Sequence, residues 1–312
     1  MDKIKQLEKM IGNTPLIEIK YRFQNKTRTA YFKCEWYNLT GSIKDRVALQ
    51  IIKDARASGA LKEGQPIAET SSGNMGIALC GVGAYLGHKV IIHMPRRMSE
   101  ERKSIMKLYG GELRLVENFR EGFEECEKLA QQGEVYLTQQ FNNRSNLVAY
   151  ARCCREIVPK VKSISGFIAG VGTAGTLMGI GEFFKKKWNT PVIVVEPSAS
   201  SLFSKGYSIG KHKIQGLSDD VIPKLYKPEI VDDIIGVDDD DAIAMAQKLS
   251  QKLGLAVGIS GGANFLGCVK YGKNKCLSVF PDDNKKYLST DLARLINTPL
   301  VDSIELLGYK VL

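Results

Sequence analysis

Strand-like and helix-like segments alternate through most of this chain, and the alternation constrains its fold more than any other feature. Short apolar runs such as Lys89–Met94 are followed by segments with helical periodicity such as Ser99–Tyr109. The predicted strands are 66–69, 89–94, 112–116, 135–139, 167–171, 192–196, 234–237 and 276–280, and the predicted helices are 74–86, 99–109, 121–131, 145–158, one ending at 188, and 240–253. This pattern is typical of parallel sheets with crossover helices. We therefore expect an α/β fold with two open, twisted, mostly parallel sheets flanked by helices.

Two series of strand–helix units of similar length predict two α/β domains. We place the boundary near residues 140–160, which gives an N-terminal domain of residues 1–150 and a C-terminal domain of residues 151–312. Open α/β sheets bind their ligands beyond the carboxyl ends of the strands. The loops that follow strands are therefore the places to look for a functional site.

Composition and charge narrow the function classes. The net charge is +10, but the lysines are scattered, and the tightest cluster, Lys185–Lys187, falls where a helix ends and cations are favoured. We interpret it as a solvated helix end and expect neither a nucleic-acid nor a membrane partner. The seven cysteines include no CxxC and the three histidines have no metal-ligand spacing, so we expect free thiols and no metal site. The N-terminus lacks the apolar core of a signal peptide, which predicts a soluble cytoplasmic protein.

The first informative loop, 38–46, contains Lys44. Ser42 and Asp45 form a pattern similar to a capping box, and apolar residues at helical spacing follow. Lys44 thus lies in the first turn of a helix, where the macrodipole disfavours a cation and favours the neutral amine that a Schiff base requires. On position alone, an ordinary exposed lysine is the simpler interpretation.

Three further glycine-rich loops precede helices. Loop 69–76 and loop 258–264 fit either an anion site or plain turns with small-residue packing. Loop 170–176 follows a strand and adds two threonine hydroxyls to a phosphate cradle. It also has the form G-x-G-x-x-G, with Glu196 about twenty residues further on, as in dinucleotide-binding proteins. This loop predicts phosphate binding but leaves the cofactor open.

Taken together and in order, these loops resemble the cysteine synthase and cystathionine β-synthase family, whose members are fold-type II pyridoxal-phosphate (PLP) enzymes similar to the tryptophan synthase β-subunit. The resemblance covers residues 11–280. The segments that carry it are Ile11–Leu16 (I-G-N-T-P-L), Ser42–Arg46 (S-I-K-D-R), Ser71–Gly76 (S-S-G-N-M-G), Gln139–Asn142 (Q-Q-F-N), Gly172–Thr176 (G-T-A-G-T), His212–Gly216 (H-K-I-Q-G) and Gly258–Ser260 (G-I-S).

The resemblance implies a role for individual residues. Lys44 is expected to bind PLP covalently and to act as the catalytic base. The residues implied in cofactor binding are Lys44, Asn74 (at the 3′-oxygen), Gly172, Thr173, Ala174, Gly175 and Thr176 (at the phosphate) and Ser260 (at the ring nitrogen). The residues implied in substrate binding are Ser71, Ser72, Met75, Gln140 and Gly216. A homodimer is also implied.

The implied reaction is β-elimination or β-replacement on cysteine, serine or O-acetylserine through an aminoacrylate. Two departures from the family pattern favour an enzyme that consumes cysteine, releases sulfide and forms serine. Met75 replaces a threonine, and the acids Asp219 and Asp220 follow Gly216. Either acid, or Asp232, is a candidate base, with surface carboxylates as the simpler interpretation. O-acetylserine sulfhydrylase is the main alternative, and an NAD-binding dehydrogenase and a catalytically silent binding protein are remote ones.

Overall fold

The computed structural model describes residues 2–206, 210–217 and 222–312. Its strands are β1 Leu16–Phe23, β2 Lys26–Cys34, β3 Ile67–Thr70, β4 Val90–Pro95, β5 Glu112–Val116, β6 Tyr136–Leu137, β7 Phe167–Gly170, β8 Val192–Pro197, β9 Asp233–Val237, β10 Cys276–Phe280 and β11 Glu305–Val311. Its α-helices are α1 Lys3–Met10, α2 Lys44–Ala57, α3 Asn74–Leu86, α4 Glu100–Leu108, α5 Phe119–Gln131, α6 Ser145–Ile157, α7 Gly175–Trp188, α8 Leu202–Lys205, α9 Asp239–Leu253, α10 Ile259–Tyr271 and α11 Pro299–Asp302.

The strands form two open sheets flanked by helices, which is the predicted α/β class. The larger sheet has the order β11-β1-β2-β10-β7-β8-β9, and the smaller has the order β5-β4-β3-β6. Every pairing in the smaller sheet is parallel, and so are those from β2 to β9 in the larger one. Among the strands of the described residues, the antiparallel pairs are those of β1 with β2 and with β11.

The core lies on both faces of the larger sheet. On β8, Val192 and Val194 belong to one buried cluster, whereas Ile193 and Val195 belong to the other. Strands of a parallel sheet are covered by helices on both sides, and this explains why β8 is apolar at successive positions. Because helices cover both faces of this sheet, a ligand site is expected at the carboxyl ends of its strands, where open α/β sheets bind their ligands.

The predicted domains require the two sheets to divide the chain at residue 150. The larger sheet instead contains strands from both ends of the chain. The hairpin of β1 and β2 joins the larger sheet, because β2 pairs in parallel with β10 from the other end of the chain. The hairpin turn places Gln24 and Asn25 at positive φ, as tight turns between antiparallel strands do.

Two expectations from composition, the lysine cluster and the free thiols, have structural counterparts. Lys185–Lys187 form the last turn of α7, as the sequence predicts. All seven cysteines are buried free thiols. Across the described ranges, no helix is both long enough and apolar enough to cross a bilayer.

Candidate active site

Lys44 is the first residue of α2 and faces a loop from the other half of the chain. Its backbone N–H donates to Ser42 Oγ at 3.2 Å, and its Nζ donates to Thr173 Oγ1 at 3.0 Å. The predicted capping box is only partly formed, because the Asp45 carboxylate accepts hydrogen bonds from the backbone N–H and hydroxyl of Thr40. Lys44 therefore lies where the helix start of one segment meets the loop of another.

A buried ion cluster anchors α2 just beyond Lys44. Arg46 donates to Glu35 Oε2 at 2.7 Å and to Glu156 Oε1 at 2.8 Å, and Lys33 Nζ lies 2.7 Å from Glu156 Oε2. Burial alone would raise the pKa of Glu156, but the hydrogen bonds and charges of Arg46 and then Lys33 outweigh it and lower the pKa to about 2. Glu156 is on α6, so the cluster ties the lysine helix to the helix behind Thr173.

The serine loop, Ser71–Gly76, connects β3 to α3. Ser71 Oγ accepts hydrogen bonds from the backbone N–H groups of Gly73 at 3.1 Å and Gly76 at 3.0 Å. Gly73 has a φ of +156°, and a Cβ there would overlap with the Arg102 side chain. Arg102 also donates to the Ser72 carbonyl at 3.2 Å. Ser71 and Arg102 thus stabilise the backbone conformation of the loop.

The threonine loop, Gly172–Thr176, connects β7 to α7. A Cβ at Gly172 would overlap with the Gly216 carbonyl, and one at Gly175 would overlap with the Asn146 side chain. Ala174 has a φ of +64°. Thr173 Oγ1 accepts from Asn146 Nδ2 at 3.0 Å as well as from Lys44. Free backbone N–H groups at the start of a helix, together with nearby hydroxyl groups, are suitable hydrogen-bond donors to a phosphate.

Gln140 lies next to the serine loop. Its Nε2 donates to the Thr70 carbonyl at 3.0 Å, and its backbone N–H donates to Glu69 Oε2 at 2.9 Å. A cavity of about 240 Å³ opens beside it, lined by apolar side chains including Phe123 and Phe141 together with Gln139. A second cavity of about 390 Å³ is lined in part by Gln215, Gly216 and Ile259. Both cavities adjoin segments that the sequence assigns to the site.

The fourth predicted loop is mostly helix. Only Gly258 of that loop precedes α10, and Ser260 lies in the first turn of the helix. Asn264 on the same helix accepts from the Gly170 N–H at 2.8 Å and donates to the Val279 carbonyl at 2.9 Å. It thereby clamps the carboxyl ends of β7 and β10 together and holds Ser260 at the same edge.

The side chains of some predicted site residues make their contacts away from the two loops. Met75 is only 2% exposed and packs in the larger core cluster. Asp232, a candidate base in the sequence, pairs with Lys185 at 2.6 Å and accepts from the Val192 N–H at 2.7 Å, as the simpler interpretation of a surface carboxylate expects. Since Val192 begins β8, Asp232 is at the amino ends of the strands, opposite the site. Asp219 and Asp220 lie outside the described residues.

Other functional candidates gave no signal in the sequence. Asn146 and Arg102 contact the two loops from helices far away in the chain, and a single sequence does not reveal such contacts. Glu196 argues against the dinucleotide interpretation, because its carboxylate accepts from the N–H groups of Phe203 and Ser204 at 2.9 and 3.3 Å. It is engaged at the start of α8 rather than open to a ribose.

Comparison with known proteins relates this geometry to established enzymes. Residues 7–282 match the family model described as pyridoxal-phosphate dependent enzyme. A cysteine synthase of Staphylococcus aureus is 36% identical over 93% of this chain and 97% of that protein, and cysteine synthase B of Campylobacter jejuni is 38% identical over 92% and 98%.

Among solved structures, a hydrogen sulfide-producing enzyme of Fusobacterium nucleatum is 44% identical, with a TM-score of 0.95 over 99% of this chain and 98% of that chain. A mutant of that enzyme has been solved with an α-aminoacrylate intermediate, at a TM-score of 0.94. A cysteine synthase of Entamoeba histolytica is 35% identical, with a TM-score of 0.86 over 95% and 93% of the two chains.

Proposed function

The chain belongs to the pyridoxal-phosphate dependent enzymes and, within them, to the cysteine synthase and cystathionine β-synthase family, and we propose that it removes the thiol of cysteine as sulfide and adds water to give serine. The sequence predicted this family, its fold, its enzyme class and its cofactor, and all four are confirmed.

The contact between Lys44 Nζ and Thr173 Oγ1, 3.0 Å apart, supports the proposed site best. It joins residues 129 positions apart in the chain at the carboxyl edge of the sheets. PLP needs an amine for its aldehyde and a cradle for its phosphate within one molecule's length, and this contact brings the two together. Asn74 Oδ1 is buried without a hydrogen-bond partner among the described residues, as expected for a side chain that faces a ligand. The residues present fit PLP.

Each side chain has a definite task in the proposed reaction. The threonine loop would bind the phosphate through its backbone N–H groups and the hydroxyls of Thr173 and Thr176. Ser260 would meet the ring nitrogen. PLP, once bound, supplies the electron sink that makes the α-proton of an amino acid acidic. Lys44 Nζ then accepts that proton, as a neutral amine within reach of the substrate does.

The substrate carboxylate is held by the serine loop and Gln140. Ser71 Oγ already accepts two backbone hydrogen bonds, so its own hydrogen points away from them and is available for a carboxylate oxygen. Ser72 is half-buried at the tip of the same loop and supplies a further donor. Fixing the carboxylate and the amine of the substrate leaves the β-carbon as the point of reaction and orients its leaving group.

The preference for cysteine is supported by two observations. The Fusobacterium hydrogen sulfide-producing enzyme is more similar in sequence than the cysteine synthases, at 44% against 36–38% identity. In addition, Asp219 and Asp220 follow Gly216 in the chain. The family resemblance implies that this segment faces the cleft, where negative charge would disfavour the approach of hydrosulfide and leave water as the entering nucleophile, with one of these acids as its base.

O-acetylserine sulfhydrylase is the second candidate, because several relatives of nearly full coverage are cysteine synthases. The two candidates differ in the direction in which sulfide moves. The test is to measure sulfide release from cysteine and cysteine formation from O-acetylserine plus sulfide, in the wild type and in Asp219→Asn and Asp220→Asn. We expect faster sulfide release in the wild type, and a loss of serine formation in one of the two variants. A much faster reaction of O-acetylserine, unaltered in both variants, would establish a cysteine synthase.

We also infer a cytoplasmic homodimer, as the family resemblance implies. The seven buried free thiols are consistent with a reducing compartment. Light scattering of the purified protein is expected to give twice the chain mass of 34.5 kDa, and a single-chain mass would contradict the dimer.

A further inference from the structure

A buried carboxylate without an assigned role lies at the centre of the proposed site. Asp282 follows β10, is 0% exposed and forms an isolated bridge with Ser42, two residues before Lys44. Its backbone carbonyl accepts from the Gly258 N–H at 3.1 Å, two residues before Ser260. Asp282 therefore touches the segments that carry the proposed Schiff-base lysine and the proposed ring-nitrogen partner.

One oxygen of this carboxylate, Oδ2, accepts two hydrogen bonds. Asp282 Oδ2 accepts from Asn74 Nδ2 at 2.8 Å and from the Tyr287 hydroxyl at 2.7 Å. Arg102 Nη2 lies 3.8 Å away and supplies the compensating charge, and its guanidinium lies over the Tyr287 ring at 4.7 Å. A buried charge held in this way has a fixed position.

The other oxygen and the Asn74 amide show unused hydrogen-bonding capacity. Asp282 Oδ1 and Asn74 Oδ1 are both buried and have no hydrogen-bond partner among the described residues. A Cβ at Gly258 would overlap with Asp282 Oδ1, so only glycine fits beside it. Native structures seldom leave such atoms unpaired unless a ligand or water completes the site.

We propose that Asp282 is a positioning residue that orients the Asn74 amide toward the cofactor's hydroxyl oxygen, an inference that rests on the proposed function. An amide group has two N–H donors. The carboxylate takes one of them and leaves the other for the cofactor. If the amide were reversed, its oxygen would face Asp282 Oδ2, and two acceptors would be in contact. The charge on Asp282 also polarises the amide, which makes the remaining N–H a stronger donor.

The test compares Asp282→Asn with the wild type in PLP affinity of the apoenzyme and in the absorption spectrum of the holoenzyme. Asparagine keeps the size of the side chain and removes its charge. We expect PLP affinity to fall about tenfold, the order for a weakened hydrogen bond to a charged group, and the visible band of the bound cofactor to lose intensity. Asp283→Asn is the matched control, since Asp283 Oδ1 accepts from the Lys285 N–H at 3.1 Å and has no hydrogen bond to Asn74 among the described residues. It is expected to leave affinity and spectrum unchanged.

A double-mutant cycle separates positioning from a general structural effect. If Asp282 acts through Asn74, the same substitution changes neither affinity nor spectrum further in an Asn74→Ala background. Equal effects in both backgrounds, or no effect in either, would overturn the inference. If Asp282→Asn does not fold, Asp282→Ser replaces it in the cycle, with the same expectation. A wild type that binds no PLP would overturn the proposed function itself, whereas a normal wild type with an unaltered Asp282 variant overturns the inference alone.

Discussion

The serine loop and the threonine loop look alike in sequence, but different residues hold them. Each follows a parallel strand and starts a helix, at the edge where α/β sheets bind ligands. In the serine loop, the Ser71 hydroxyl oxygen accepts from two backbone N–H groups of its own loop, and Arg102 of α4 donates to the loop from outside. In the threonine loop, the Thr173 hydroxyl oxygen instead accepts from the side chains of Lys44 and Asn146, which both lie outside that loop. The difference is consistent with the proposal that the serine loop binds the substrate, which is released, and that the threonine loop holds the cofactor, which stays bound.

Replacing Lys44 tests the threonine loop with the largest expected effect. In Lys44→Ala, the amine that reaches Thr173 is lost, and we expect the visible band of the bound cofactor to disappear. The rate of sulfide release from cysteine is expected to fall about 10²- to 10⁴-fold, since a general base is removed. The control is Lys53→Ala on the same helix, whose ammonium pairs with Glu8 at the surface. A Lys44 variant with the wild-type spectrum would break the comparison between the loops.

Glu156→Gln tests how the helix behind the threonine loop is held. The low pKa of Glu156 means that its ion pairs stabilise the fold fully above the ordinary value of 4.5 and lose this effect as the pH falls toward about 2. At neutral pH we expect the free energy of unfolding to drop by about 2–3 kcal/mol. The difference from the wild type should shrink between pH 4.5 and 2, as measured by denaturant unfolding. Glu8→Gln, at the surface, is the control, and a pH-independent difference would contradict the assignment.

Hydroxyl deletions compare the two loops directly. Thr173→Ala or Thr176→Ala is expected to weaken PLP retention by about 1–2 kcal/mol, the order for a lost hydrogen bond to a charged group. Ser72→Ala is expected to raise the KM for cysteine and to leave PLP retention unchanged. Dialysis followed by absorption measures retention, and initial rates give KM. Unaltered retention in a Thr173→Ala/Thr176→Ala double variant would place the phosphate elsewhere.

Asp232→Asn is expected to have the smallest effect. Because Asp232 pairs with Lys185 at the far ends of the strands, its removal should change stability by less than about 1 kcal/mol and leave sulfide release unchanged. A marked fall in serine formation would return this residue to the list of candidate bases.

The alternation of strands and helices was predictable because it depends on local patterns. Helix α3 and strands β5 and β10 have the bounds that the sequence predicts, since apolar periodicity and flanking glycines mark them. The hairpin of β1 and β2 was missed, although Asn25 in its turn is a residue that tolerates positive φ. The C-terminal strand β11 was also missed, because its partner β1 lies at the opposite end of the chain.

The proposed site was predictable only through motifs that act as units. Lys44 and Thr173 were identified by resemblance, and their 3.0 Å contact depends on packing between distant segments. Asn146, Arg102 and Asp282 carry no local signature, since a buried polar residue looks in sequence like any surface one. The place of Asp232 at the amino ends of the strands agrees with its position just before the predicted strand 234–237, and a surface carboxylate stays the simpler interpretation of this residue.

The most direct measurement is to map the lysine that holds the cofactor. The holoenzyme is reduced with borohydride, which makes the link between PLP and an amine permanent, and its peptides are sequenced by mass spectrometry. The proposed site predicts that the modified peptide carries the cofactor on Lys44 and that Lys44→Ala yields none at any position. Modification of a different lysine in the wild type, or none at all, would contradict the proposal that Lys44 and the threonine loop form one cofactor site.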